Sequence, residues 1–336
     1  MSTSTEIKRK AKELGYLACG IIPSMVFDEY TKALDDRINS FPESKELYAN
    51  FYKLAEKNEA AKSIIVTTIR YNKYKVPEKL QGLIGKMYLF DSRLSYSYEN
   101  RAKLEFETYL KTFGFNILPS NVPVRWAAVK AGLGKFGRNN FIYDPEHGSY
   151  IIINTWAIDK ELDYDTGDEK SFPSGCNENC QKCVSSCPTA ALSGSLSMDM
   201  GKCIARHSFS AKDALDEKTR SQMGLWIYGC DVCQDVCPLN KDKFKESKEF
   251  PLLSEFEEYL KPENLLTMDE NTYLNIVDPR FWYIGKDNIW LWKCNALRHM
   301  INSGDPKYHS FIKKHCDDPD PRIKELAQWG SNKLKI

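Results

Sequence analysis

The 336-residue sequence lacks any excess of one charge: 47 basic and 46 acidic side chains leave a formal net charge of +1. Such a balance gives no global attraction to nucleic acid or anionic membrane, and says nothing of local patches. The chain also lacks a run of about 18 apolar residues, the length a spanning helix requires. Its N-terminus, MSTSTEIKRKAKELGY, is polar and charged where a secretory signal needs an apolar centre. These absences predict a cytoplasmic protein without a membrane partner. In a reducing compartment, clustered cysteines serve as metal ligands or redox thiols more often than as disulfides.

With 42% hydrophobic and 28% charged residues, the composition is that of a chain able to fold into two or three domains. TEIKRKAKELG has helical spacing, YLACGIIP reads as a strand, MVFDEYTKALDDRI as a helix and AKSIIVTTIRY as a second strand. KMYLFDSRLSYSYENRAKLEFETYLKTFG reads as one long aromatic-rich helix. FNILPS follows as a brief strand, VPVRWAAVKAGLG as a helix starting after Pro123, and SYIIINTWAI as a strand. The alternation predicts a layered α/β (α+β) domain over residues 1–168. Residues 169–245 turn to short loops, cysteines and Pro-bounded turns, as a small metal-organised module would. Residues 246–336 are helical again, and striped helices across a GDP turn resemble a HEAT-type repeat.

Two short runs take most of the eleven cysteines. GCNENCQKCVSSCP holds Cys176, Cys180, Cys183 and Cys187; GCDVCQDVCP holds Cys230, Cys233 and Cys237; Cys203 lies between them. C-x2-C-x3-C-P is the bacterial ferredoxin spacing, in which the last cysteine ligates the other of two clusters. That rule predicts one 4Fe-4S cluster on Cys176, Cys180, Cys183 and Cys237, and a second on Cys187, Cys203, Cys230 and Cys233. Pro188 and Pro238 stop helix after each run. The Cys176–Cys180 step is one residue longer than usual. Zinc is the alternative, although zinc sites favour two separated pairs over runs of three ligands closed by Cys-Pro. Cys19, Cys294 and Cys316 read as small buried hydrophobes.

Clusters carry electrons without doing the chemistry, so an acceptor is expected nearer the N-terminus. AGLGKFGRNNFIYDPEHGSY spells G-x-G-x-x-G at Gly132, Gly134 and Gly137. A dinucleotide fold needs a strand before that motif, and the helical VRWAAVK stands there instead. AGLGKFGRNN followed by HGSY, CVSSCPTAAL with the later KCIARH, YGCDVCQDVCPLN and KCNALRHMINSGDP together resemble the epoxyqueuosine reductase family from about residue 60 onward. The resemblance implies a nitroreductase-like cobalamin-binding domain at 1–168, a double 4Fe-4S ferredoxin-like domain at 169–245 and a HEAT-like region at 246–336. It implies an oxidoreductase in which a low-potential donor such as ferredoxin or flavodoxin feeds electrons through both clusters to base-off cobalamin, with cob(I)alamin as the working reductant. The sequence has five histidines and no D-x-H-x-x-G, the usual loop for histidine ligation of cobalt. Gly132, Gly134 and Gly137 would let backbone approach a bulky ligand. Lys130, Lys135, Arg138, Asn139 and Asn140, with His147 and Gly148 of the matched loop, are the residues to bind it. A helix cap and turn with solvated polar residues is the alternative reading of the same segment.

The family carries an aspartate proton donor shortly before AGLG, whereas Asn116 to Lys130, NILPSNVPVRWAAVK, contains no acid. The family's DYH element falls at Tyr98, Glu99 and Asn100, and Lys135 stands where a tryptophan normally follows AGLG. Loss of the acid removes the assumed proton transfer and predicts a substrate other than epoxyqueuosine, a small molecule or nucleoside with a C-O or C-heteroatom bond to cleave. Tyr96, Tyr98, Glu99 and Arg125 become the catalytic candidates, each readable as ordinary helix or core material. Two other functions stay open: an electron-transfer protein or reductive activator of another corrinoid protein, and a tRNA-binding factor with structural clusters. Near-neutral charge speaks weakly against the last.

Overall fold

β-Branched residues buried all along Ser63–Ile69 can only be the middle of a sheet. The computed structural model describes residues 2–119, 121–165, 175–194, 196–211, 215–244 and 248–336. Contacts divide it into two units, the first of Met1–Lys75, Asp91–Met200 and Val232–Lys248, the second of Val76–Phe90, Gly201–Asp231 and Glu249–Ile336. The boundaries expected near residues 168 and 245 fall outside the described residues.

Strands of the first unit are β1 (Ala18–Pro23), β2 (Ser63–Arg70), β3 (Ile117–Leu118), β4 (Lys135–Phe136), β5 (Ile142–Tyr143), β6 (Ile151–Ile158), β7 (Leu192–Gly194) and β8 (Ser197–Met198). The main sheet runs β1-β2-β6-β3. Every pairing in it is antiparallel, with Ile22 opposite Ile64, Ile65 opposite Trp156 and Leu118 opposite Ala157. Alternation along β2 sends Ile64 and Val66 to a core with Trp126, Ala127 and Val129 of the Val124–Lys130 helix. Ile65 faces the other way beside Trp156. There Phe106 of the Tyr98–Lys111 helix meets Trp156 at 4.9 Å and Tyr16 at 5.6 Å between ring centroids. Helices therefore cover both faces, and Gly20 lets Ala131 approach β1, since a Cβ there would lie 2.9 Å from the Ala131 Cβ and carbonyl oxygen.

The long helix expected over KMYLF…KTFG is two helices. Lys86–Leu89 ends before Phe90, and a new helix starts at Tyr98 with Ser97 as its cap, accepting from Asn100 N at 3.0 Å. Between them Asp91 accepts from the backbone and guanidinium of Arg93 at 2.6–2.9 Å, a local turn that competes with helix.

In the second unit the Ile289–Ser303 helix ends on Gly304 in the left-handed region at φ 64°, and Pro321–Leu334 begins with Asp320 as its cap. Tyr228 stacks on Trp292 at 5.0 Å and 6°, and Arg280 lies over Phe250, Phe256 and Phe281 while donating to the Leu89 carbonyl at 2.7 Å. Among the described residues no helix is long and apolar enough to cross a membrane.

Phe106 is fully buried between two aromatic rings. Phe106→Ala is expected to cost about 3–5 kcal/mol, read as a lower denaturant midpoint with an unchanged slope.

Candidate cluster and cofactor site

Cys183 lies on the short Lys182–Ser185 helix, whose residues contact Val232–Asp235, the helix just before Cys237. Its thiol is pushed up by burial first, then by the thiols of Cys176, Cys237 and Cys180. Cys183 is thus within electrostatic reach of each of the other three predicted ligands of that cluster, all inside the first unit. Among the described residues no three such side chains are close enough to share one ion. Thiolates on a cluster bind separate irons and stand farther apart than the ligands of a single ion. The Arg138 amide points at the Cys176 sulfur at 3.4 Å, and the Ala191 amide at the Cys187 sulfur at 3.3 Å. Neutral thiols gain little from such donors, while thiolates gain charge-assisted bonds. The residues present therefore fit a 4Fe-4S cluster on Cys176, Cys180, Cys183 and Cys237. Of the second set, Cys187 and Cys233 belong to the first unit, Cys203 and Cys230 to the second.

The AGLGKFGRNNFIYD segment is an antiparallel hairpin, with Lys135 opposite Tyr143 and Phe136 opposite Ile142. It follows a helix, so no dinucleotide βαβ unit is formed. Gly132, at φ 73°, caps that helix. A Cβ on Gly134 would lie 2.6 Å from Ile142 Cγ2, and one on Gly137 would run into the Tyr143 ring. These glycines are in close contact with the hairpin's own return strand. Lys130 is ion-paired with Glu29 at 2.7 Å, Lys135 is exposed, and Arg138 donates to the Glu178 carbonyl at 2.5 Å. Asn139 donates from Nδ2 to the Tyr143 hydroxyl at 2.8 Å and to the Cys233 carbonyl at 2.9 Å.

Asn140 differs from its neighbours. It is 4% exposed, sits at φ 65°, and neither its side-chain oxygen nor its nitrogen has a partner among the described residues. An unpartnered buried carboxamide costs about 1–3 kcal/mol. Cobalamin carries a rim of amide groups able to satisfy it, and in this respect the hairpin fits that cofactor.

His147 has both ring nitrogens engaged, Nδ1 with Asp144 at 2.9 Å and Nε2 with Arg70 at 3.2 Å. It lines a cavity of about 370 Å³ with Arg70, Asn72, Glu146 and Lys243. Gly148, at φ 64°, packs against the Asn240 side chain where a Cβ would collide.

The four catalytic candidates separate. Residues 99, 102, 106 and 110 form the buried stripe of the Tyr98–Lys111 helix, so Glu99 points inward. Its carboxylate is met by Lys73 Nζ at 2.8 Å and by the Tyr74 hydroxyl at 2.9 and 3.1 Å. Burial first, then Glu99, pushes the Tyr74 hydroxyl well above its ordinary range. Lys73 Nζ also lies 4.8 Å from the Tyr98 ring centre, and the Tyr98 hydroxyl donates to the Leu14 carbonyl at 2.9 Å. Tyr96 is half-buried in the preceding turn. Arg125 is at the hairpin instead, donating to the Asn140 carbonyl at 3.1 Å and covering the Phe141 ring at 5.1 Å. Lys73, Tyr74 and Arg70 escape sequence reading because their partners lie 25 to 77 residues away.

Residues 176–240 match the model of the 4Fe-4S double cluster binding domain. An epoxyqueuosine reductase of Leadbetterella byssophila is 31% identical over 278 residues, which span 80% of this chain and 87% of the relative. The solved structure of epoxyqueuosine reductase from Streptococcus thermophilus superposes with a TM-score of 0.78 at 20% identity, covering 99% of this chain and 90% of that one. An epoxyqueuosine reductase crystallised with an epoxyqueuosine-modified tRNA-Tyr stem loop gives 0.74 at 24% identity, with 99% and 90% covered. The structures establish the shared fold, and the sequence match establishes more: the chain belongs to the epoxyqueuosine reductase family, oxidoreductases whose cofactors are 4Fe-4S clusters and cobalamin.

Proposed function

We propose that this chain is a reductase that passes electrons through two 4Fe-4S clusters to base-off cobalamin and cleaves a C-O or C-heteroatom bond in a substrate other than epoxyqueuosine. The observation that carries the cofactor reading is the buried, unpartnered Asn140 carboxamide, on the hairpin whose Arg138 amide meets Cys176. Lys130, Gly132, Gly134, Lys135, Gly137, Arg138, Asn139, Asn140, His147 and Gly148 make up the binding segment in this reading. With both nitrogens of His147 already bonded, that ring offers no ligand to cobalt, in keeping with the base-off form. The second cluster, on Cys187, Cys203, Cys230 and Cys233, rests on spacing and on the family model over residues 176–240. Residues 1–168, 169–245 and 246–336 are proposed as nitroreductase-like, ferredoxin-like and HEAT-like regions, with a ferredoxin or flavodoxin as donor.

When bound, reduced cobalamin supplies a low-potential nucleophilic reductant. The chain's own residues must then hold the substrate and deliver a proton. Asn116 to Lys130 offers no carboxylate for that step, and general acid catalysis is commonly worth about 10²–10⁴-fold. Arg125, tied to the Asn140 carbonyl, is suited to orient an anionic group at the hairpin. Tyr96, Tyr98 and Glu99 remain the proton-donor candidates, with the Glu99 carboxylate held by Lys73 and Tyr74.

A second reading, epoxyqueuosine in tRNA, is favoured by the 31% identity to a protein of that name over 80% of the chain. Anaerobically reconstituted protein assayed on epoxyqueuosine-containing tRNA decides: no multiple turnover is expected, and multiple turnover overturns the proposed substrate restriction.

Reconstituted protein is expected to hold about eight iron atoms per chain, and Cys183→Ala about four, with cobalamin taken up in a spectrum free of a histidine ligand. A chain that loads iron and never binds cobalamin overturns the proposal. Asn140→Gly keeps the left-handed backbone without strain and removes the carboxamide. It is expected to weaken cobalamin binding about tenfold in a spectroscopic titration, while the melting temperature of the cobalamin-free protein does not fall, since the unpartnered carboxamide is removed with it.

A further inference from the structure

Arg298, on the Ile289–Ser303 helix of the second unit, is 2% exposed and meets only neutral acceptors. Its Nη1 donates to Asn295 Oδ1 at 2.6 Å and its Nη2 to the Trp226 carbonyl, while Nε has no partner among the described residues. A buried charge without a counter-ion is costly, and a guanidinium has five N-H donors to satisfy. Arg298 lines a recess of about 30 Å³ together with Arg220 and Arg322; one water needs about 10–15 Å³. Arg220 is ion-paired with Glu325 at 2.6 Å and Arg322 with Asp320 at 2.6 Å, and neither carboxylate is among the described residues that line the recess. Cys294, one turn before Arg298, senses the whole group. Burial first and then Asp320 push its thiol up, to about 12, and Arg298, Arg322 and Arg220 each pull the other way. Three guanidinium groups thus share the recess, and one of them lacks an acid.

Trp290, Leu291 and Arg322 also line a cavity of about 450 Å³ in the same unit, a size that suits a small molecule. Phe209 and Tyr283 form part of its wall, their ring centres 5.2 Å apart and tilted by 34°, and the Arg322 guanidinium lies 3.9 Å from the Trp290 ring centre. We propose that cavity and recess form one binding site for a small molecule with an oxoanion head, carboxylate or phosphate, and a flat apolar body. Arg298 Nε-H is the donor kept for the head, since guanidinium groups make charge-assisted bonds to such oxygens. The body lies along Phe209, Tyr283 and Trp290, which attract a ring by its apolar faces.

The test is calorimetric titration of the full, reconstituted chain with benzoate, phenyl phosphate and the neutral analogue benzamide. Saturable binding of at least one of the two acids is expected, with benzamide about tenfold weaker or worse; the tighter acid identifies the head that the recess takes. Absence of saturation by either acid up to about 10 mM, or benzamide binding as tightly as benzoate, overturns the proposal. Arg298→Met keeps the length of the side chain and removes its charge. It is expected to weaken the better acid about tenfold or more, and an unchanged affinity in the folded variant refutes the site. Should that variant fail to fold, Arg322→Gln at the more exposed edge of the recess replaces it, with weaker binding expected and unchanged binding counting against the proposal.

Discussion

Cys176, Cys180 and Cys237 each push the Cys183 thiol upward, on top of what burial does. Thiols gathered in this way become stable thiolates only around a cation, which deprotonates its ligands outright. Much of the first unit serves that constraint. The β4–β5 hairpin presents the Arg138 amide to Cys176, the Asn139 amide holds the Cys233 carbonyl, and Asn240 clamps Ser149 and the Gln234 carbonyl with one side chain. These bonds come from backbone and neutral amides, so they would orient the proposed ligands without adding a competing cation.

Ligand chemistry imposes spacing, and for that reason the cysteine runs were legible in the sequence. The long strands were legible too, because β-branched runs such as SIIVTTIR and IIINTWAI fit little else. Their antiparallel order was not, since pairing depends on partners many residues away. The hairpin was hidden for another reason: its strands are two residues long, too short to show a period, and its glycines imitate a nucleotide loop. The break at Asp91–Ser97 is not legible in the sequence because Asp, Arg and Ser look like the polar face of a helix until their side chains turn back onto the backbone.

Glu99 shows what pattern reading can and cannot supply. Its place three residues before Ala102 and seven before Phe106 puts it on the buried stripe, a fact available from the sequence. That a carboxylate there demands compensation is equally general. Which groups provide it, Lys73 and Tyr74 at the end of a different segment, depends on how the fold brings distant segments together. The cluster joins two of the predicted catalytic positions, Tyr98 and Glu99, through Lys73, and separates them from Arg125 at the hairpin.

The Asn140 turn has a consequence beyond affinity. A left-handed asparagine with an unsatisfied buried amide is a local debt carried by the empty protein. A ligand that bonds only the folded form and relieves that debt adds its binding free energy to folding. If cobalamin meets this amide as proposed, the folded fraction of the chain rises with the corrinoid bound, and the cobalamin-free chain spends more time unfolded and within reach of proteases.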